Sequence, residues 1–237
     1  MNLILLDQAE PSSAQTVLCD PAQIQHIHQV LQLGVGDHLK VGQKHGNIGT
    51  AVISEMRSDQ IILTDMVLTT APPAKLDLTV ILALPRPKVL RRLIMDMTAI
   101  GVRDIVLVNS YRTDKSYWQS PMLTRLDEFV HEGLQQGMDT VPANIYLKKR
   151  FKPFVEDELS LWAQAQQAVV AHPYAATSFS DWSDRNGLPQ ILCIGAEGGW
   201  IEYEIELLHN NGCHSVNLGD RILRTEAAVN ALCGRYF

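Results

Sequence analysis

Ile191–Trp200 reads I-L-C-I-G-A-E-G-G-W, and the organisation of the chain follows from it. Four apolar residues run straight into a turn that holds three glycines and one carboxylate. A short unbroken apolar run suits a strand buried on both faces. Glycines this dense demand unusual backbone angles or very close approach by another group. Glu202-Tyr-Glu-Ile-Glu-Leu-Leu then reads as the acidic first turns of a helix, with Ile205 and Leu208 on its apolar side. Acids favour a helix start because the macrodipole is positive there. Strand, glycine turn and helix together make a ligand-binding layout. The same grammar recurs downstream: Ser215–Leu218 predicts a strand, Gly219–Thr225 a loop, and Glu226–Cys233 a helix that Thr225 caps.

Composition bounds the alternatives. The chain has 237 residues, room for one large or two small domains, and 46% hydrophobic residues, enough for a substantial core. No apolar run reaches the length of a membrane span, and the first residues lack the basic start and small-residue cleavage site of a signal peptide. Cys19, Cys193, Cys213 and Cys233 are scattered without a C-x-x-C pair, which reads as reduced thiols in a cytoplasmic protein. The net charge of −6 argues against a generally basic nucleic-acid coat and leaves room for a local basic patch.

Upstream of residue 70 the pattern is mostly β. Leu3–Leu6, Leu39–Val41, Ile48–Ile53 and Ile61–Leu68 predict short strands, at a spacing that suggests a small barrel. Asp20-Pro21 opens a helix with Ile24, Ile27, Val30 and Leu31 on one face. His26 and His28 stand two apart, which on a helix directs them to different faces, so they read as surface histidines and no metal site is expected. The paired prolines of Thr70–Ala74 read as a linker and divide the chain into domains 1–71 and 72–237. Beyond it strands and helices alternate. Leu76–Leu84, Asp104–Val108, Ile145–Leu147 and Ala168–Ala171 predict strands, and Pro87–Ile100, Pro121–Met138 and Pro153–Ala165 predict helices. This order means an α/β domain with a mainly parallel sheet, whose ligands sit beyond the carboxyl ends of the strands. The loops at His172-Pro-Tyr, Gly195–Trp200 and Leu218–Thr225 occupy such ends.

Gly195-x-x-Gly198-Gly199 is not G-x-G-x-x-G, and no G-K-[ST] follows it, so a phosphate loop fits poorly. A dinucleotide reading can use Asp220 as a ribose-binding acid, but too little chain follows for the second half of that fold. A lone glycine pair is more often a tight turn that binds nothing. Two glycine loops on successive strands, with Arg221, Arg224 and Glu226 beside the second, favour a site.

I-G-A-E-G-G-W at 194–200 and L-G-D-R-I-L-R-T-E-A-A at 218–228 resemble the signature of the ribosomal small-subunit methyltransferase E family, the 16S rRNA uridine-N3 methyltransferases of the SPOUT superfamily. The resemblance covers the whole chain. It implies a SPOUT-type knotted α/β domain with a deep trefoil knot, preceded by a PUA-like β-barrel that binds RNA. It also implies a homodimer, S-adenosylmethionine as cofactor, and RNA of the small ribosomal subunit as partner, without membrane or metal. The cofactor would lie against the glycines Gly195, Gly198, Gly199 and Gly219, which allow close approach. Leu218, Ile222 and Leu223 would supply apolar walls. Ala171, His172, Ile194, Glu197 and Thr225 complete the cofactor set that the resemblance implies.

Methyl transfer to N3 of a uridine needs the imide proton to leave while negative charge spreads over O2 and O4. Arg224 is the candidate to stabilise that charge; being always protonated, it is not the base. Glu226 is the second catalytic candidate, although a carboxylate with an ordinary pKa of about 4.3 is a weak match for an imide. The alternative for Arg224 is a structural ion pair with Glu226 or Glu197. For RNA phosphates the candidates are Arg86, Lys88 and Arg91 at the end of the first α/β strand, and Arg112 and Lys115 after the next. Trp118 and Trp200 are candidates for stacking on a base. The sequence departs from the family where Met97-Thr-Ala-Ile-Gly101 replaces a Lys-x-Thr-Glu-Leu-Gly type of helix end, and where Ala196 replaces a proline. These departures fall mainly on the substrate side. They keep open two alternatives: a different RNA target, and a cofactor-binding RNA-binding protein that has lost catalysis. A nicotinamide oxidoreductase is a weaker third reading.

Overall fold

The structure, a computed structural model, describes residues 2–7 and 15–237. The remaining positions of the expected first domain lie outside the described residues. The chain divides into two compact units, one of residues up to Ala74 together with Val130–Pro142, the other of Lys75–Phe129 and Ala143–Phe237.

The first unit is built on a five-stranded sheet. In chain order its elements are β1 (Ile4–Leu6), β2 (Thr16–Leu18), helix α1 (Pro21–His26), β3 (His38–Gln43), β4 (Ile48–Met56) and β5 (Ile61–Thr70). The spatial order is β1-β3-β4-β5-β2, with β1 parallel to β3 and the other pairs antiparallel. Register shifts along β4 and β5 break the ladder in three places, the usual signature of a strongly bent strand pair. Strand alternation sends Leu39, Val41, Ile61 and Leu63 into the core, where they meet Ile4, Ile24, Ile27 and Ile53. Asp20 caps α1 as expected, its carboxylate accepting the Ala22 N–H at 2.9 Å. The expected apolar face is correct only in part. Beyond His26 the helix widens into a π-turn over Ile27–Leu31, so Val30 turns out to 66% exposure. The Val130–Pro142 segment belongs here because Gln135 accepts the N–H groups of Asn2 and Leu3 at 2.9 and 3.1 Å, and Thr140 bonds Gly46 and His45.

The second unit is a six-stranded, wholly parallel sheet. Its strands are β6 (Leu76–Ala83), β7 (Val102–Val108), β8 (Asn144–Lys148), β9 (Ala168–Ala171), β10 (Ile191–Ile194) and β11 (Cys213–Val216), in the spatial order β11-β9-β10-β6-β7-β8. Every residue of β10 is buried, as its unbroken apolar run requires. Helix α2 (Pro87–Ile100) opens on Pro87, where the missing N–H costs nothing, and ends at Gly101. It buries Val89, Leu90, Leu93, Ile94 and Met97, each worth roughly 1.5–3 kcal/mol on transfer from water. The expected Pro121–Met138 helix is in fact a 3-10 turn over Pro121–Arg125 followed by α3 (Leu126–Gly137). Ser120 caps that turn through Met122, and the Thr124 hydroxyl donates to the Pro121 carbonyl at 2.8 Å, which holds the tighter winding. The expected Pro153–Ala165 helix starts earlier, as α4 (Phe151–Pro153), and reaches α5 (Ser160–Ala165) through a π-turn. Three further helices follow: α6 (Phe179–Asn186), α7 (Glu202–Asn210) and α8 (Thr225–Cys233). Among the described residues no helix is long and apolar enough to cross a membrane.

Candidate functional site

The carboxyl ends of β9, β10 and β11 lie side by side, and the loops leaving them enclose a cavity of about 250 Å3. The loop after β10 is a closed turn: Gly199 donates its N–H to the Ala196 carbonyl at 2.8 Å. Gly199 has φ +67°, the left-handed region that glycine enters at no steric cost. Gly195 is required for another reason: a Cβ there would stand 2.9 Å from the Gly199 Cα.

Two residues, Thr225 and Asn217, hold the neighbouring loops in place. The expectation that Thr225 caps the last helix is corrected. Arg224 occupies the N-cap without a capping side chain, and the buried Thr225 hydroxyl donates to the Gly195 carbonyl at 3.2 Å. This joins the two glycine loops directly. Asn217 joins the second of them to the loop after β9. Its side-chain amide donates to the Ala175 carbonyl at 2.7 Å, and its Oδ1 accepts the Gly219 N–H at 2.9 Å. That turn is also why β11 stops at Val216 and does not run from Ser215 to Leu218 as expected.

The cofactor candidates Ala171, His172, Ile194, Gly195, Glu197 and Gly198 line the cavity, as do Gly199, Leu218, Ile222, Leu223 and Thr225. Gly219 does not. Of the RNA candidates only Arg112 lines it; its guanidinium donates to the Gly198 carbonyl. Arg86 stands outside the lining but reaches a residue within it. Its Nε and backbone N–H donate to Glu197 Oε1 at 3.0 and 3.2 Å. Lys88 and Lys115 are exposed. Arg91 lies over the Phe129 ring at 5.8 Å. The catalytic candidates Arg224 and Glu226 also lie outside the lining. Glu226 accepts from Arg92 at 3.0 Å, and Arg224 is exposed with no ion pair among the described residues. Both carboxylates offered as structural partners for Arg224 are thus taken by other arginines.

Trp200 does not present a face for stacking. It is 5% exposed and packs on Phe151 with ring centroids 5.4 Å apart, although it lines the cavity and its buried Nε1–H has no partner among the described residues. Trp118 is half-buried, with its indole N–H on Asn109 at 2.8 Å. Sequence reasoning missed Arg92 as the partner of Glu226 and Asn217 as the loop junction; Tyr174 and Arg221, on loops it placed at the site but left out of the cofactor set, also line the cavity. Arg92 was legible only as one cation in a run. Asn217 carried the turn-forming signal of an asparagine after a strand and ahead of a glycine.

Burial holds the His172 imidazole below its ordinary pKa of 6.5, because leaving water disfavours the charged ring. The unfolded chain therefore binds that proton more readily. The stability tied to the neutral ring is complete above the unfolded pKa and is lost as pH falls below it. His172→Gln is expected to flatten the decline in melting temperature between about pH 8 and about pH 5 relative to wild type. Thermal denaturation across that range checks it, and superimposable profiles would remove His172 from the account.

The family described as RNA methyltransferase domain matches residues 72–236. The chain is 28% identical to the ribosomal RNA small subunit methyltransferase E of Treponema pallidum, over 98% of this chain and 89% of that protein. It is 24% identical to a ribosomal RNA small subunit methyltransferase E 1 of Borreliella burgdorferi, over 98% and 95%. Among solved structures, a ribosomal RNA small subunit methyltransferase E of Neisseria gonorrhoeae bound to S-adenosyl methionine superposes with a TM-score of 0.73 at 20% identity, covering 99% of this chain and 96% of that one. A Legionella pneumophila protein in complex with the same cofactor gives 0.78 at 18% identity with the same coverage. At these identities the structural likeness shows the shared fold.

Proposed function

The chain belongs to the RNA methyltransferase domain family, and from that membership we propose that it methylates N3 of a uridine in 16S rRNA with S-adenosylmethionine as donor. The observation that carries this is the Thr225–Gly195 bond, which ties two glycine loops around one cavity. The residues present fit such a cofactor. The cavity has apolar walls at Leu218, Ile222 and Leu223, and at Trp200 an orphaned buried donor. The cofactor supplies an electrophilic methyl group. The chain's own residues do the rest. Gly195, Glu197, Gly198 and Gly199, with Ala171, His172, Ile194 and Thr225, hold it by backbone groups and shape, and Gly219 sets the turn of the second loop. As the N3 proton leaves, Arg224 stabilises the charge that grows on the uracil oxygens. Glu226, oriented by Arg92, receives the proton directly or through water.

Arg112, Lys88 and Lys115 meet RNA phosphates, with Arg91 on α2 as Lys88 is; Arg86 reaches the RNA only when it releases Glu197. Residues 1–71 act as a PUA-like barrel that positions the RNA, supported by the bulged five-stranded sheet. Residues 72–237 carry the methyltransferase domain, with a trefoil knot and a homodimer interface, in the cytoplasm. The insertion of β10 between β6 and β9 supports the knotted reading, as does the return of Thr225 to Gly195.

The second reading, a binder without turnover, draws on the altered α2, where Asp96 is engaged by Asn230 of α8 at 3.3 Å. Mass spectrometry of 16S rRNA separates the two. Deleting the gene is expected to remove one methyl from one uridine, and the purified protein with S-adenosylmethionine to restore it. An unchanged modification map would favour the binder.

A further inference from the structure

Tyr174 is 78% exposed and lines the cavity, on the loop that leaves β9. An exposed tyrosine is ordinary on a protein surface. This one differs because the backbone on both sides of it is hydrogen-bonded. The loop begins with the His172 N–H on the Val216 carbonyl at 2.9 Å and turns through Ala175 N–H to the His172 carbonyl at 3.1 Å. It is then fastened by Asn217, which bonds Ala175 and donates its backbone N–H to Thr177 at 2.9 Å. The His172 ring braces the phenol from one side, edge-on at 5.6 Å and 75°. A braced aromatic ring is thus exposed at a cavity that Arg112 and Arg221 also line. Neither tryptophan candidate offers such a face here, Trp200 being buried and Trp118 lying outside the cavity lining.

We propose that Tyr174 is the stacking face for a nucleobase held at this cavity, either the adenine of the donor or the uracil of the acceptor. The inference rests on the methyltransferase reading and deepens it. Any base has a π-face, so the contact needs no hydrogen-bond partner and tolerates replacement by another aromatic ring.

The test compares Tyr174→Leu and Tyr174→Phe with wild type. It measures S-adenosylhomocysteine affinity by calorimetry, and the KM for small ribosomal subunits from a strain lacking the gene. The leucine variant is expected to lose on the order of tenfold in one of the two quantities, while phenylalanine stays near wild type and neither changes the melting temperature. A fall in S-adenosylhomocysteine affinity assigns the face to adenine. A raised KM with that affinity intact assigns it to the acceptor base. No change in either quantity, or equal losses in both variants with a lowered melting temperature, overturns the inference. If wild type transfers no methyl group, the methyltransferase reading fails instead. S-adenosylhomocysteine affinity then decides this inference alone, and an unchanged value overturns it.

Discussion

Arg224→Ala is expected to lower kcat by roughly 10²–10³-fold while leaving S-adenosylhomocysteine affinity and the melting temperature close to wild type. The expectation comes from what the side chain does not do. It is exposed and has no ion pair among the described residues, while the two carboxylates within reach of the motif are occupied, Glu226 by Arg92 and Glu197 by Arg86. Removing an exposed, unpaired guanidinium changes folding stability by only about 0.5 kcal/mol or less. Its backbone, in contrast, is well fixed. Arg224 is the N-cap of α8 in an extended conformation, and the next residue is bonded to the opposite glycine loop. A rigid cation whose charge is not consumed by the fold can be aimed at charge that appears only during reaction, and its loss is then read in kcat. Arg224→Lys keeps the charge but not the planar fork, so an intermediate rate is expected. Steady-state kinetics with small ribosomal subunits checks both variants. Turnover within a few-fold of wild type in the alanine variant would rule out the charge-stabilising role. A loss confined to cofactor affinity would move Arg224 into the binding set.

The parts of this molecule that were legible in the sequence are those whose cause is local. The burial of β10 follows from I-L-C-I alone, and the start of α2 from Pro87. The left-handed turn at Gly199 follows from a dense glycine loop. Neighbours in the sheet were not legible, because nothing in β10 itself says that it lies between β9 and β6. The two π-turns were not legible either, since one extra residue per turn leaves the apolar spacing of Ile24 and Ile27 intact and only afterwards swings Val30 outward. The Val130–Pro142 segment joins the first unit through bonds to residues more than a hundred positions earlier in the chain, such as Asn2 and Leu3. Within the site, residue types were legible and their engagements were not. Thr225 looked like a cap and instead links two loops, and Trp200 looked like a stacking face and is core. Whether a cation is free or paired is decided by which carboxylate the fold brings to it. Arg86 meets Glu197, while Arg224 has no ion pair among the described residues.

Gly195→Ala carries the other large expected effect, and it separates a site from a turn that merely needs glycine. A Cβ at Gly195 would lie 2.9 Å from the Gly199 Cα, 3.1 Å from its carbonyl carbon and 3.2 Å from the Trp200 nitrogen. All three are backbone atoms, so no rotamer change relieves the contact. The turn has to open. Opening it strains the Gly199–Ala196 bond and shifts the carbonyl that Thr225 holds, which loosens both loops of the cavity together. Overpacking of this kind costs about 1–3 kcal/mol, and S-adenosylhomocysteine affinity is expected to fall on the order of 10–100-fold. Gly187→Ala is the comparison. Gly187 follows α6 with φ +84°, a Cβ there meets nothing within 4 Å, and the residue lies outside the cavity lining. With ψ 176° its backbone lies in a region essentially confined to glycine, so that variant should lose about 1–3 kcal/mol of stability and keep its affinity. Calorimetry and thermal denaturation on both variants read the two effects separately. If Gly195→Ala binds S-adenosylhomocysteine as wild type does, the loop after β10 does not shape the binding site. If both variants lose affinity in proportion to stability, the glycines serve folding alone.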